Sequence, residues 1–262
     1  MERDRKRKLW KITAAVSAGI LVILAAVLLI RKYMPTGQKM SGYDYFKTDS
    51  AAENDSTLVI LDNEILYDKG RYIDGRLYLQ QSFVQDNVNM RFYYDKESNA
   101  VLYSDWSAVY TYYPDVKGYQ DQNGNTYDTE YEVIKTADGV IYIDFEYMAA
   151  VSNISYEYAK EPQRLVLHTT HEEQNEVTIR KNTVVRYRAG IKSKVLEKVK
   201  KGTVCQYVGA VDDDWIEVIT PSGYQGYVKK NAASDVYTAV PEDTYTEEYQ
   251  SNLCGYKVNM TW

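Results

Sequence analysis

The chain has 262 residues, a net charge of −6, 27 tyrosines, 5 prolines and 2 cysteines. The charge is split: residues 1–33 hold 8 Lys/Arg against 2 Asp/Glu, which makes them +6 and the remainder −12. An acidic bulk argues against nucleic acid as a partner, because phosphate binding needs clustered Lys/Arg, and Cys205 and Cys254 alone make no disulfide framework.

The chain opens on Arg3, Arg5, Lys6, Arg7 and Lys8, followed by an uncharged run from Ile12 to Ile30 that Arg31 and Lys32 close. Nineteen residues of helix cover about 28 Å, enough to cross a hydrocarbon core of about 30 Å. The basic flank predicts a cytoplasmic N-terminus (residues 1–11), a single lipid-spanning anchor (12–30) and an extracytoplasmic remainder. A cleaved signal peptide would end a shorter apolar run on small residues, whereas this one ends Leu28-Leu29-Ile30-Arg31-Lys32. Residues 31–56 are small and polar and read as a stalk, interrupted by Tyr43, Tyr45 and Phe46, which are placed to dock on the first domain.

Residues 57–170 read as one α+β domain. It begins with a hairpin, Leu58–Leu61 and Glu64–Tyr67 around Asp62-Asn63. An internal repeat follows: residues 75–104 align without a gap to residues 139–168, with Gly75/Gly139, Tyr78/Tyr142, Asn89/Asn153 and Tyr94/Tyr158 identical. Each copy reads as a strand, a short helix and two strands across a polar turn. One copy alone is too small to bury a core, so the two are expected to pack together. The segments YIDGRLYLQQSFV and FYYDKESNAVLYS, with the second copy, resemble the copper-amine-oxidase N-terminal-like domain. That resemblance implies an accessory domain carrying neither copper nor quinone.

After an acidic junction, residues 177–230 show short strands at Val177–Ile179, Thr183–Tyr187, Val204–Tyr207, Trp215–Ile219 and Gln225–Val228, separated by turn residues. This spacing predicts a small all-β barrel. Val185-Arg186, Ala189-Gly190, Val195-Leu196, Lys200-Lys201-Gly202-Thr203, Trp215 and Gly226-Tyr227-Val228 resemble the bacterial SH3 (SH3b) pattern. Ala189-Gly190-Ile191 stands where that family more usually has Gly-Pro-Ser, in a loop bordering its ligand groove. Residues 231–262 read as an acidic linker ending in an orphan strand, Tyr256 to Trp262.

Catalytic chemistry finds little footing. Asp212-Asp213-Asp214 sits in a turn before the tryptophan strand, whereas glycoside hydrolysis needs two carboxylates flanking one bond. His168 and His171 straddle a strand end and a linker, without the further ligands a metal site needs. Cys205 falls in a barrel strand as a small core residue. No cofactor, metal site or catalytic residue is expected.

The SH3b resemblance implies non-covalent binding of peptidoglycan peptides. Tyr187, Trp215, Tyr224 and Tyr227 are the candidate groove residues, since aromatics give large contact area at low entropy cost. Core packing is the competing role, chiefly for Trp215 and Tyr227. The expected protein is a cell-membrane, single-pass, wall-binding one. The alternative rests on the order of anchor, amine-oxidase-like domain and SH3b, which resembles the N-terminal half of bacterial glycoside hydrolase family 18 proteins. Lys257–Trp262 would then begin a chitinase-like barrel, making this chain a targeting arm.

Overall fold

A computed structural model describes residues 2–48, 55–169 and 172–239. The first element, α1 (Glu2–Tyr33), is one unbroken helix. Its Val16–Tyr33 stretch is long and apolar enough to cross a membrane, and none of it is buried against the rest of the chain. Leu21, Val22, Ile23 and Leu28 all face outward, so this is no core helix. A short helix, α2 (Gly42–Phe46), lies in the segment read as a stalk.

A seven-stranded sheet forms the centre of the first domain. Its strands are β1 (Ser56–Leu61), β2 (Glu64–Ile73), β3 (Arg76–Gln80), β9 (Ile134–Ala137), β10 (Val140–Asp144), β11 (Ser155–Ala159) and β12 (Arg164–His168). The order is β11-β12-β1-β2-β3-β10-β9, antiparallel except where β1 and β12 run parallel. The expected hairpin closes through Asp62 and Asn63, both at positive φ (46° and 74°), which suits the twist of the flanking strands. A separate five-stranded meander contains β4 (Phe92–Asp95), β5 (Ala100–Ser104), β6 (Val109–Tyr112), β7 (Tyr119–Asp121) and β8 (Thr126–Tyr127).

Two short helices, α3 (Gln81–Asn87) and α4 (Phe145–Ala150), follow β3 and β10. The domain is therefore mostly β, with less helix than the α+β reading implies. β3 pairs with β10 so that Leu79 faces Ile143, Tyr78 faces Asp144 and Gln80 faces Tyr142. This register is symmetric about positions 79 and 143. The following strands then diverge: β11 and β12 rejoin the central sheet, while β4 and β5 found the meander.

The second domain, the expected barrel, is one antiparallel sheet ordered β15-β14-β18-β17-β16-β13-β19, whose end strands β15 and β19 do not pair with each other. It contains β13 (Gln174–Thr178), β14 (Thr183–Arg186), β15 (Val195–Val199), β16 (Val204–Ala210), β17 (Trp215–Ile219), β18 (Gln225–Lys229) and β19 (Tyr237–Ala239). The Val195-Leu196 pair thus starts a full strand, one more than the five expected from the turn spacing. Gly226 is required where β18 crosses β14: a Cβ there would stand 2.7 Å from the Arg186 carbonyl oxygen and 2.8 Å from Leu196 Cδ1. Residues 237–239, expected in a linker, instead extend the sheet by pairing with β13. The predicted strand at Tyr256–Trp262 lies outside the described residues.

Strand alternation explains how the halves join. Val59 on β1, with Leu165 and Leu167 on β12, faces the core shared with α3, α4 and the meander. Leu58, Ile60 and Val166 point the other way, into a cluster with Val177, Val185, Leu196, Val218 and Val228 of the barrel. These strands are buried on both faces, which is why Leu58-Val59-Ile60-Leu61 and Leu165-Val166-Leu167 read as continuous apolar runs. The boundary between residues 57–170 and 177–230 is crossed by one apolar cluster. Ile60→Ala removes a side chain 1% exposed within it and should cost the full chain about 2–5 kcal/mol. Amide signals of Leu79 and Val218 should lose protection at the same shifted urea midpoint; separate midpoints would show that the seam does not couple the halves.

Candidate functional site

Each predicted groove residue has a distinct place on the barrel. On β17, Ile216 and Val218 point into the core, so Trp215 and Glu217 take the opposite face. Trp215 is nevertheless 7% exposed, with the Lys229 ammonium 6.0 Å from its ring centroid. Tyr227 is half-buried opposite Glu217 and Arg186. Burial, then the neighbouring Glu217, raises its hydroxyl pKa. Tyr187 is open, 42% exposed, with the Arg188 guanidinium 5.6 Å from its ring. Tyr224 is 6% exposed and belongs to the seam between the halves. The four residues therefore do not form one open groove: Tyr187 and Tyr227 are accessible, Trp215 is covered, and Tyr224 lies beneath other rings.

The rings over Tyr224 come from the stalk. Phe46, fully buried, stands 4.9 Å from Tyr224 between centroids, and Tyr45 stands 5.0 Å from it. The Tyr45 hydroxyl donates to the Gln225 carbonyl (2.9 Å) and accepts from the Gln225 N–H (3.0 Å). Burial raises its pKa, and the Gln225 hydrogen bond partly offsets the shift. On the first-domain side, the Tyr67 hydroxyl donates to the Phe46 carbonyl at 3.0 Å. The stalk aromatics thus dock on both domains, beyond the first-domain docking expected from sequence.

Arg164 completes this cluster. Its guanidinium lies 4.8 Å from the Phe46 ring and 4.7 Å from the Tyr224 ring. It donates to the carbonyls of Ser222 (2.6 Å), Lys160 (3.2 Å) and Pro162 (3.2 Å). Burial lowers its pKa, partly offset by Tyr224 and Glu197. Glu197 accepts from the Ser222 hydroxyl at 2.8 Å, which places a carboxylate one residue from the cation. Sequence reading noted Tyr45 and Phe46 as interruptions in a polar stretch; Arg164 and Gln225 carried no comparable signal.

The stalk also runs along the barrel edge. Thr36 N–H donates to the Ile191 carbonyl, Val195 N–H to the Gln38 carbonyl and Met40 N–H to the Val195 carbonyl, each at 2.8 Å. Buried Arg186 donates to the carbonyls of Thr36 (3.1 Å) and Ser193 (2.6 Å). Lys192 donates to the carbonyls of Arg31 and Met34, satisfying the end of α1 where cations are favoured. Residues 34–46 are therefore a docked strap, not a free spacer.

Elsewhere the geometry gives little to chemistry. Asp212 Oδ1 accepts from the N–H groups of Asp214 and Trp215, both at 2.8 Å, so it shapes the turn into β17. His168 stands 4.0 Å from Asp62, and burial lowers its pKa while Asp62 opposes the shift. His171 and Cys254 lie outside the described residues. Cys205 is buried, its thiol pushed up to about 12 by desolvation and then by Glu197 and Glu176. Among the described residues no three His, Cys, Asp or Glu side chains are grouped to hold a metal ion.

Residues 180–235 match the family model of the bacterial SH3 domain, a span running from before β14 to just after β18. β13 and β19 flank that span and widen its sheet. No curated protein and no solved structure matches the chain.

Arg164→Lys keeps the charge but loses the planar fork and the two ring contacts. It should destabilise the full chain by about 2–4 kcal/mol. An unchanged urea midpoint would mean that the cation is idle in the seam.

Proposed function

We propose that this chain is a membrane-anchored extracytoplasmic protein whose SH3b barrel binds peptides of the cell wall. The basic N-terminal flank, the exposed apolar helix and the acidic remainder support an anchor at residues 12–30 with the barrel outside. SH3b domains are generally cell-wall-binding modules. The observation that carries the reading is the barrel's open face: exposed Tyr187, half-buried Tyr227, and Glu217 held by the Gln225 side-chain amide at 3.0 Å. Aromatic faces beside a carboxylate suit a flexible peptide, and they offer no activated nucleophile.

Residues 57–170 serve on this reading as a non-catalytic platform, in line with their resemblance to the copper-amine-oxidase N-terminal-like domain. The symmetric pairing of β3 with β10 supports treating residues 75–104 and 139–168 as two copies of one unit. The chain itself is proposed to hydrolyse nothing.

The test is sedimentation of the detergent-solubilised full chain with purified peptidoglycan. Tyr187→Ala and Tyr227→Ala should each weaken it at least tenfold, the size of a hot-spot aromatic. Undiminished binding by both variants, or no sedimentation at saturating peptidoglycan, would contradict the reading.

A further inference from the structure

Residues 36–46 lie on the barrel as a bound peptide would. Their backbone forms a parallel bridge, Lys39 with Val195, on the outer edge of β15. An edge strand leaves N–H and C=O groups free for such pairing. Gly42 then passes a point too narrow for a side chain. A Cβ there would collide with the Glu161 carbonyl oxygen and stand 2.7 Å from the Tyr224 hydroxyl. Three residues on, Tyr45 grips both backbone groups of Gln225 and sets its ring 6.4 Å from Tyr187. Backbone pairing along an edge plus a side-chain anchor is a standard way for sheets to capture extended peptides.

We infer that residues 36–46 are an intramolecular ligand. The edge of β15, Tyr187, Tyr224 and Gln225 form a site for an extended peptide that carries a glycine followed by a hydrogen-bonding anchor. An external peptide reaches this site by displacing residues 36–45, the Tyr45 anchor included, while Phe46 stays in the seam. The inference rests on the reading of the barrel as a peptide binder; it extends the open face at Tyr187 along the strap-covered edge of β15 and adds the chemistry and occupant there. Tethering sets the strap's effective concentration near the millimolar range or above. An external ligand's apparent affinity falls by the fraction of molecules with the strap released.

The test uses the full chain in detergent micelles, as wild type, as Tyr45→Ala, and as Gly42→Val. Gly42→Val wedges the strap outward while keeping every apolar side chain of the seam. Slow amide exchange at Val218 and Val228 reports that each barrel is folded, and if Tyr45→Ala unfolds, Gly42→Val decides. The probes are a fluorescein-labelled synthetic peptide of residues 36–47 and purified peptidoglycan. The released variants should bind the labelled peptide at least tenfold tighter than wild type. They should also bind peptidoglycan more tightly, with the unlabelled peptide competing. Peptide capture by the released variants with no peptidoglycan binding by any protein supports the site and removes the wall ligand. Equal peptide binding by all three, or peptidoglycan binding that the peptide does not compete, overturns the inference and leaves wall binding intact.

Discussion

The structure turns on one stack: the Arg164 guanidinium against the rings of Phe46 and Tyr224, with its N–H groups spent on three carbonyls. A buried cation is costly unless its donors are satisfied and its charge is faced by electron-rich groups. Here the cation, the ring faces and the accepting carbonyls come from three parts of the chain. Arg164 starts β12 of the central sheet, Phe46 ends the strap, and Tyr224 precedes β18 of the barrel. Removing any one leaves the other two exposed or unsatisfied. The stack therefore couples the sheet, the barrel and the segment leading from α1.

That coupling changes what the segment after α1 does. A free stalk of more than 20 residues would let the barrel range away from the helix. Docked as a strap, it holds the barrel at the helix end, where Lys192 reaches the carbonyls of Arg31 and Met34. The sheet reinforces the arrangement from the far side. Gly223 brings the barrel so close to β1 that a Cβ there would lie 2.5 Å from Ile60 Cδ1. The barrel's available surface is then what strap and sheet leave uncovered, the face around Tyr187, Glu217 and Tyr227.

Much of this was legible in the sequence. The helix, the Asp62-Asn63 hairpin, the strand–helix–strand pattern at 75–104 and 139–168, and most barrel strands follow from local periodicity and turn residues. Leu58–Leu61 reads only as a hairpin strand; that it and Leu165–Leu167 are covered on both faces, and by what, emerges from the fold. Tyr224 and Tyr187 are alike as letters; only the long-range contact with Phe46 buries one and leaves the other open. The strap has no signature in the sequence because backbone pairing to β15 uses no particular side chain, so a polar, small-residue segment gives no sign of it. Arg164 is silent in the sequence for a similar reason, since most of its partners are carbonyls and rings distant in sequence.

The central claim is that the strap, barrel and sheet form one cooperative unit. Amide hydrogen exchange at Met40 and Val195 in the full chain tests it most directly, because those two N–H groups make the strap's pairing with β15. The account predicts that both exchange orders of magnitude more slowly than an unstructured segment, and that Arg164→Lys accelerates both together. Exchange of Met40 and Val195 at random-coil rates, while Val218 and Val228 stay protected, would contradict it.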